Sequence, residues 1–232
     1  VHVRIHHDRV TISVDASGDA LHHRGWREGK AKAPLRSTIA AALLAATGFD
    51  GSGPLIDPFC GSGTIAIEAA RQAAGLAPGV DRPFAFWQWP TFEPGTWASV
   101  TASAARPNEW PIFATDRDAG AAATTAVNAR RAGVPIETAC RSLSDLKAPA
   151  GPAGWLLTNA PYGRRVRADD LRNLYARLGD VARRELPGWR VGVLTNDAVA
   201  AGHSGLALES VLRTTNGGIA VELLFGTVPR PG

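Results

Sequence analysis

Three polar side chains in this sequence each close an apolar run: Asp57 after Leu55-Ile56, Asp116 after Ile112-Phe113-Ala114-Thr115, and Asn159 after Trp155-Leu156-Leu157-Thr158. Asp57 leads into Pro58-Phe59-Cys60-Gly61-Ser62-Gly63-Thr64, and Ile65-Ala66-Ile67-Glu68-Ala69-Ala70 continues with helical spacing. That is a strand, a tight turn and a helix of the nucleotide-binding kind. Glycine reaches backbone conformations closed to other residues, so a ligand can lie against bare main chain there. The helix start behind it offers unpaired N–H groups.

The acid selects the ligand. A dinucleotide fold carries G-x-G-x-x-G and sets a pyrophosphate on the helix start. Here Ala66 and Ile67 follow the turn and the third glycine is missing. A carboxylate at the strand end repels phosphate and attracts an ammonium. S-adenosylmethionine carries an ammonium and a sulfonium and no phosphate, so it is the ligand this chemistry fits. Asp116 ends the second apolar strand, where such folds bond ribose hydroxyls.

The third polar residue begins Asn159-Ala160-Pro161-Tyr162-Gly163. A planar amine that is to be methylated needs a side-chain carbonyl and a main-chain carbonyl to accept its two hydrogens, and an aromatic face to hold its ring. Asn159, the carbonyl of Ala160 and Tyr162 supply those three parts. Carbonyls placed in this way turn the amine lone pair toward the methyl group, so orientation carries the rate.

Positioning these groups requires a doubly wound sheet. Val1 to Val14 alternates around His6-His7-Asp8-Arg9 as a hairpin, and Leu21 to Arg27 is expected to add a short strand. The histidines there invite a metal reading, but adjacent strand residues point to opposite faces, which leaves solvated polar positions as the better account. Pro34 is expected to open a helix that runs through Leu44 and stops near Gly48. Residues 75 to 110 form a Pro-, Gly- and Trp-rich excursion with a helix near Trp97 to Ala105, expected to pack on the domain. A helix over Ala119 to Ala132, a strand over Pro135 to Ala139 and a loop over Cys140 to Asp145 come next. The strand ending in Asn159 follows, then a helix over Ala168 to Glu185 and a strand over Val191 to Thr195. Leu206 to Arg213 and Ile219 to Phe225 flank Thr-Asn-Gly-Gly, a hairpin signal. Asn159 then falls at the carboxyl end of strand four beside strand one, at the switch point of the sheet.

At 232 residues and 45% hydrophobic, the chain can bury the core of one large α/β domain. It has no apolar run long enough to span a bilayer, and no signal peptide is expected. Two cysteines, Cys60 and Cys140, make neither a disulfide framework nor a metal quartet, which fits a reducing cytoplasm and a site without metal. The net charge of +4 permits an anionic partner without demanding one. Its 22 arginines against 3 lysines favour phosphate forks, although composition alone explains most of them. The chain starts without Met, so a segment upstream of Val1 is expected.

With these residues in view, the chain resembles the methyltransferase domain of THUMP-associated RNA guanine methyltransferases, which act on the exocyclic amine of guanine in tRNA or rRNA. The likeness rests on Asp15-x-Ser17-Gly18 with Leu21-His22-x-Arg24-Gly25-Trp26-Arg27, Ala33-Pro34-Leu35, and the Asp57 to Thr64 string with Glu68-Ala69-Ala70. It extends through Asp116, Asn128-Ala129, Ala132-Gly133-Val134, Thr158-Asn159-x-Pro161-Tyr162-Gly163-x-Arg165, Leu174-Tyr175-x-x-Leu178-Gly179 and Asn216-Gly217. The resemblance implies a class I, Rossmann-like α/β fold: a doubly wound, seven-stranded, mostly parallel sheet with an antiparallel last strand. It divides the chain into a small N-terminal β extension over 1–32 and the methyltransferase domain over 33–232.

By position, the resemblance assigns Asn159, Pro161 and Tyr162 to the target base. It assigns Leu35, Asp57, Pro58, Cys60, Gly61, Gly63, Thr64, Asp116, Arg117, Ser142, Leu143 and Asn159 to the cofactor. Ala160 stands where the family writes the first Pro of Asn-Pro-Pro-Tyr, and Arg117 where it has an apolar residue stacked on adenine; the Arg117 stem is expected to cover that ring. Arg164, Arg165 and Arg167, with Arg24, Arg27, Lys30 and Lys32, are candidates for RNA phosphate contacts. A monomer with an upstream THUMP domain or a partner for RNA capture is implied. Two further readings stay open: methylation of an adenine amine in DNA or RNA, and a catalytically weak module that binds cofactor or RNA.

Overall fold

Unbroken apolar runs suit strands covered on both faces, and the three that end in Asp57, Asp116 and Asn159 lie side by side. A computed structural model describes residues 1–27, 35–102, 107–161 and 168–230. Two short strands, β1 (His2–His6) and β2 (Arg9–Ser13), form a hairpin of their own. Seven strands make the main sheet: β3 (Leu55–Asp57), β4 (Ile112–Asp116), β5 (Glu137–Cys140), β6 (Trp155–Asn159), β7 (Arg190–Thr195), β8 (Glu209–Asn216) and β9 (Ile219–Thr227). Around them run α1 (Ser37–Ala46), α2 (Thr64–Ala73), α3 (Pro94–Thr101), α4 (Ala119–Arg131), α5 (Ala168–Glu185) and α6 (Ala198–Gly202).

The strand order is β5-β4-β3-β6-β7-β9-β8. The pairs among β3 to β7 are parallel, and β9 runs antiparallel to both of its neighbours. Chain order runs outward from β3 to β5 on one side and from β6 to β7 on the other, so the crevice of this doubly wound sheet opens where β3 meets β6. Successive strand residues point to opposite faces, and the core divides accordingly. Leu55, Trp155 and Leu157 pack with Leu43 and Ile65 on one face, and Ile56, Leu156 and Val191 pack with Tyr175 and Leu178 on the other. Each layer removes several large apolar side chains from water, each contributing roughly 1.5–3 kcal/mol.

Several element bounds differ from the sequence reading. Residues 21–27 form no strand: Gly25 takes φ +85°, Trp26 turns into the core at 3% exposure, and the segment is held by side-chain bonds instead of a ladder. The helix of the excursion starts earlier, at Pro94, because Pro is at ease in a first helical turn. Pro135 has no N–H to give a ladder, and β5 begins at Glu137. The turn between β8 and β9 is Gly217-Gly218, both at positive φ, as a two-residue hairpin requires. Pro34 lies outside the described residues.

The excursion is tied to α2 by the Arg71–Asp81 ion pair at 2.7 Å and to the N-terminal extension by Arg82. Phe84, Phe86, Trp87 and Trp97 cluster ring on ring, and Arg82, with its guanidinium over Phe84, donates to the carbonyls of Ser17 and Asp19. Among the described residues, no helix is long and apolar enough to cross a membrane.

Candidate active site

Asp57 is the last residue of β3, where the chain must leave the sheet, and its side chain is 2% exposed. Its Oδ1 accepts from the Phe59 amide at 3.2 Å and from Thr158 Oγ1, on the next strand, at 2.6 Å. Burial pushes its carboxyl up to about 7; the two hydrogen bonds oppose that rise and the charge of Asp116 adds to it. A buried carboxylate this reluctant to ionise is stabilised by a cation brought to it.

The two glycines of the turn do different work. Gly61 sits at φ +55° and donates its amide to Asp116 Oδ2 at 3.1 Å. A Cβ on Gly61 would meet no protein atom within 4 Å, so its bareness leaves room for something other than protein. Gly63, at φ +82°, is the N-cap of α2, and a Cβ there would fall 2.6 Å from Thr125 Cγ2. Gly63 thus stands behind the cavity wall, pressed on α4. Asp116 Oδ1 accepts from the Asp118 amide at 3.0 Å, so that carboxylate joins the glycine turn to the start of the next helix.

A cavity of about 2040 Å³ brings the remaining candidates together. Leu35, Asp57, Pro58, Cys60, Gly61, Thr64, Asp116, Arg117, Ser142, Leu143, Asn159 and Pro161 all line it. That volume exceeds the few hundred to ~1,000 Å³ of a pocket for one small ligand, leaving space for a second group. Tyr162, Arg164, Arg165, Arg167, Lys30 and Lys32 lie outside the described residues.

Asn159 ends β6, one strand from Asp57, and its Oδ1 is buried with no hydrogen-bond partner among the described residues. An acceptor left dry costs about 1–3 kcal/mol, so the position is set up for a donor that arrives with a ligand. The neighbouring Ala160 is 1% exposed. On the far side of the cavity Ser142 accepts from the Ser144 amide at 3.4 Å and opens a single 3-10 turn that buries Leu143. Arg117 is exposed, and its carbonyl accepts from Cys140 Sγ at 3.5 Å.

Cys60 is not a nucleophile. Burial, helped by the Asp57 charge, pushes its thiol up to about 12, where it stays protonated. Among the described residues no three His, Cys, Asp or Glu side chains gather as metal ligands. The donor set fits S-adenosylmethionine: two acids for a cation and a ribose, and an open cradle at Gly61.

Two arginines expected to meet RNA are engaged within the protein. Arg24 pairs with Glu68 on α2 at 3.3 Å, with both side chains nearly buried. Arg27 Nη2 donates to the Leu35 carbonyl at 2.9 Å and to Thr64 Oγ1 at 2.8 Å. His22 and Asn196 also line the cavity, and local spacing gives no sign of either, because they arrive from opposite ends of the chain.

A family model described as RMKL-like, methyltransferase domain, matches residues 24–211. The chain is 37% identical over 241 aligned residues to the ribosomal RNA large subunit methyltransferase K/L of Syntrophotalea carbinolica, covering 97% of this chain and 34% of that protein. Among solved structures, a possible methylase from Clostridium difficile 630 superposes with a TM-score of 0.84 at 35% identity, covering 99% of this chain and 61% of that one. SMU.472, assigned as a methyltransferase and solved with SAH, superposes with a TM-score of 0.81 at 29% identity over 94% of this chain and 58% of its own. The chain therefore spans about a third of the curated relative and about three fifths of the solved ones.

Proposed function

The chain belongs to the family of RMKL-like methyltransferase domains, and on that premise we propose that it transfers the methyl group of S-adenosylmethionine to the exocyclic amine of a guanine in ribosomal or transfer RNA. S-adenosylmethionine supplies an electrophilic methyl group on a sulfonium. Asp57 takes the ammonium of its methionine end, Asp116 the ribose hydroxyls, and the Ser142-Leu143 turn together with the Arg117 stem the adenine. The bare main chain at Gly61 lets the cofactor lie close to the turn.

The observation that carries the reading is the buried Oδ1 of Asn159, without a hydrogen-bond partner among the described residues and in the same cavity as Asp57. An exocyclic amine has two hydrogens. Accepted by Asn159 Oδ1 and by the Ala160 carbonyl, they leave the nitrogen lone pair directed at the methyl carbon. With the cofactor held there, an N–C bond would form as the methyl–sulfur bond breaks, S-adenosylhomocysteine would leave as a neutral thioether, and the methylated amine would give one proton to solvent. No strong base is required, because the amine is already neutral and the step depends on alignment.

The test is transfer of isotope-labelled methyl from S-adenosylmethionine to unmodified ribosomal and transfer RNA, followed by mass spectrometry of the nucleosides. Label in N2-methylguanosine is the expected result. Label in N6-methyladenosine would replace the base, and binding of RNA or cofactor without any transfer would reduce the protein to a binding module.

A further inference from the structure

Resting on the reading of this cavity as a S-adenosylmethionine site, we infer that Arg27 is the residue that receives the α-carboxylate of the cofactor's methionine end. Its neighbours locate it. One guanidinium nitrogen bonds both the Leu35 carbonyl and Thr64 Oγ1, 8 and 37 residues away. Leu35 and Thr64 both line the cavity, Thr64 as the first residue of α2 beside the glycine turn.

The charge of Arg27 is not used up inside the protein. Glu68, the acid whose charge acts on Arg27, is paired with Arg24 at 3.3 Å, and among the described residues no carboxylate forms an ion pair with Arg27. A guanidinium has five N–H donors in a fixed fork. Among the described residues Arg27 commits one nitrogen to hydrogen bonds, its guanidinium lies 5.4 Å from the centroid of the Trp26 ring, and it lines the cavity, so the rest of the fork is available there to an acceptor. Burial lowers its affinity for the proton and Glu68 restores part of it.

The cofactor has one anion, its α-carboxylate. Asp57 repels that group and attracts the adjacent ammonium, so the two ends of the zwitterion are sorted between Asp57 on β3 and Arg27 on the N-terminal segment. Recognition of a carboxylate by a guanidinium fork is directional as well as strong. It follows that residues 22–27, outside the sheet, complete the cofactor site.

The test compares S-adenosylmethionine with decarboxylated S-adenosylmethionine, which keeps the sulfonium and the ammonium, by titration calorimetry on the whole chain. The wild type should prefer the carboxylated ligand by roughly tenfold to a hundredfold, the range of a hydrogen-bonded charge pair. Arg27→Gln should erase that preference, leaving the decarboxylated ligand bound as before, and Arg27→Lys should keep part of it. A wild type that does not discriminate overturns the inference without any variant. A loss of affinity that is equal for both ligands, or a preference that survives Arg27→Gln, also overturns it and leaves the methyltransferase reading intact. If the wild type binds neither ligand, the methyltransferase reading itself has failed.

Discussion

Thr158 Oγ1 donates to Asp57 Oδ1 at 2.6 Å across the β3–β6 crevice, and the residue after Thr158 is Asn159. The bond couples the two halves of the site. It fixes the rotamer of the carboxylate proposed to take the cofactor's ammonium and anchors the strand end that carries the amide proposed to meet the base. Thr158→Val removes the hydroxyl and retains the shape, leaving a buried carboxylate one donor short, a loss on the order of 1–3 kcal/mol. Cofactor affinity and turnover should both fall, whereas a residue serving only one half would shift one of them; calorimetry and single-turnover rates measured on one preparation separate the cases.

The raised Asp57 carboxyl makes cofactor binding depend on pH. A cation requires the ionised form, and in the free protein burial holds the group near 7. Affinity for S-adenosylhomocysteine, which keeps the ammonium, should be greatest near pH 8 and fall about tenfold per unit below pH 7. Protons should be released on binding near pH 7, and calorimetry in buffers of different ionisation enthalpy measures them. Affinity that is constant from pH 5 to 8 would exclude Asp57 as the ammonium partner.

The same shift bears on stability with the opposite outcome for function. A carboxyl whose folded value lies above its unfolded value favours the fold below the unfolded value of about 4, and that contribution is lost as pH rises through 7. Asp57→Asn removes the burden and keeps an oxygen for Thr158 and Phe59. The ligand-free variant should be more stable than the wild type by roughly 2–4 kcal/mol at pH 8 and equal to it near pH 4. Thermal melts at the two pH values decide this, and the stabilised variant should no longer bind cofactor.

Gly61 and Gly63 look alike in the sequence and part company in the structure, which gives a paired prediction. Gly63→Ala drives a Cβ to 2.6 Å from Thr125 Cγ2 at φ +82° and should cost roughly 2–3 kcal/mol of stability, partly recovered by Thr125→Ser. Gly61→Ala meets no protein atom within 4 Å and should cost only about 1–2 kcal/mol from its left-handed backbone. It should lower cofactor affinity by more than Gly63→Ala does. Chemical unfolding midpoints and calorimetry provide the two readouts.

The contrast also shows what the sequence could carry. Gly-x-Gly after an acid announces a turn for a ligand, but which glycine faces the ligand depends on Thr125, a residue on another helix. The strands ending in Asp57, Asp116 and Asn159 were legible because parallel strands buried on both faces leave long apolar runs. The irregular course of residues 21–27 was not, because the alternation of Leu21 to Arg27 mimics a strand while its stability comes from Trp26 in the core and from pairing with α2. The role of Arg24 was obscured for the same reason: Glu68 reads as one helical acid among others until α2 turns it toward Arg24.

That pairing sets the last prediction. Arg24 and Glu68 are 11% and 9% exposed, and burial raises the Glu68 carboxyl while Arg24 and Arg71 draw it back down. Arg24→Ala leaves a nearly buried carboxylate short of its partner and should destabilise the fold by about 3 kcal/mol or more. Glu68→Gln in the Arg24→Ala background should recover much of the loss, since it removes the unpaired charge. A phosphate-binding Arg24 behaves differently: its loss would leave the melting temperature unchanged and reduce the dependence of RNA affinity on salt by about one unit in log–log slope. Thermal melts and salt titrations of RNA binding on the same variant therefore separate an arginine that ties the N-terminal segment to α2 from one that holds the substrate.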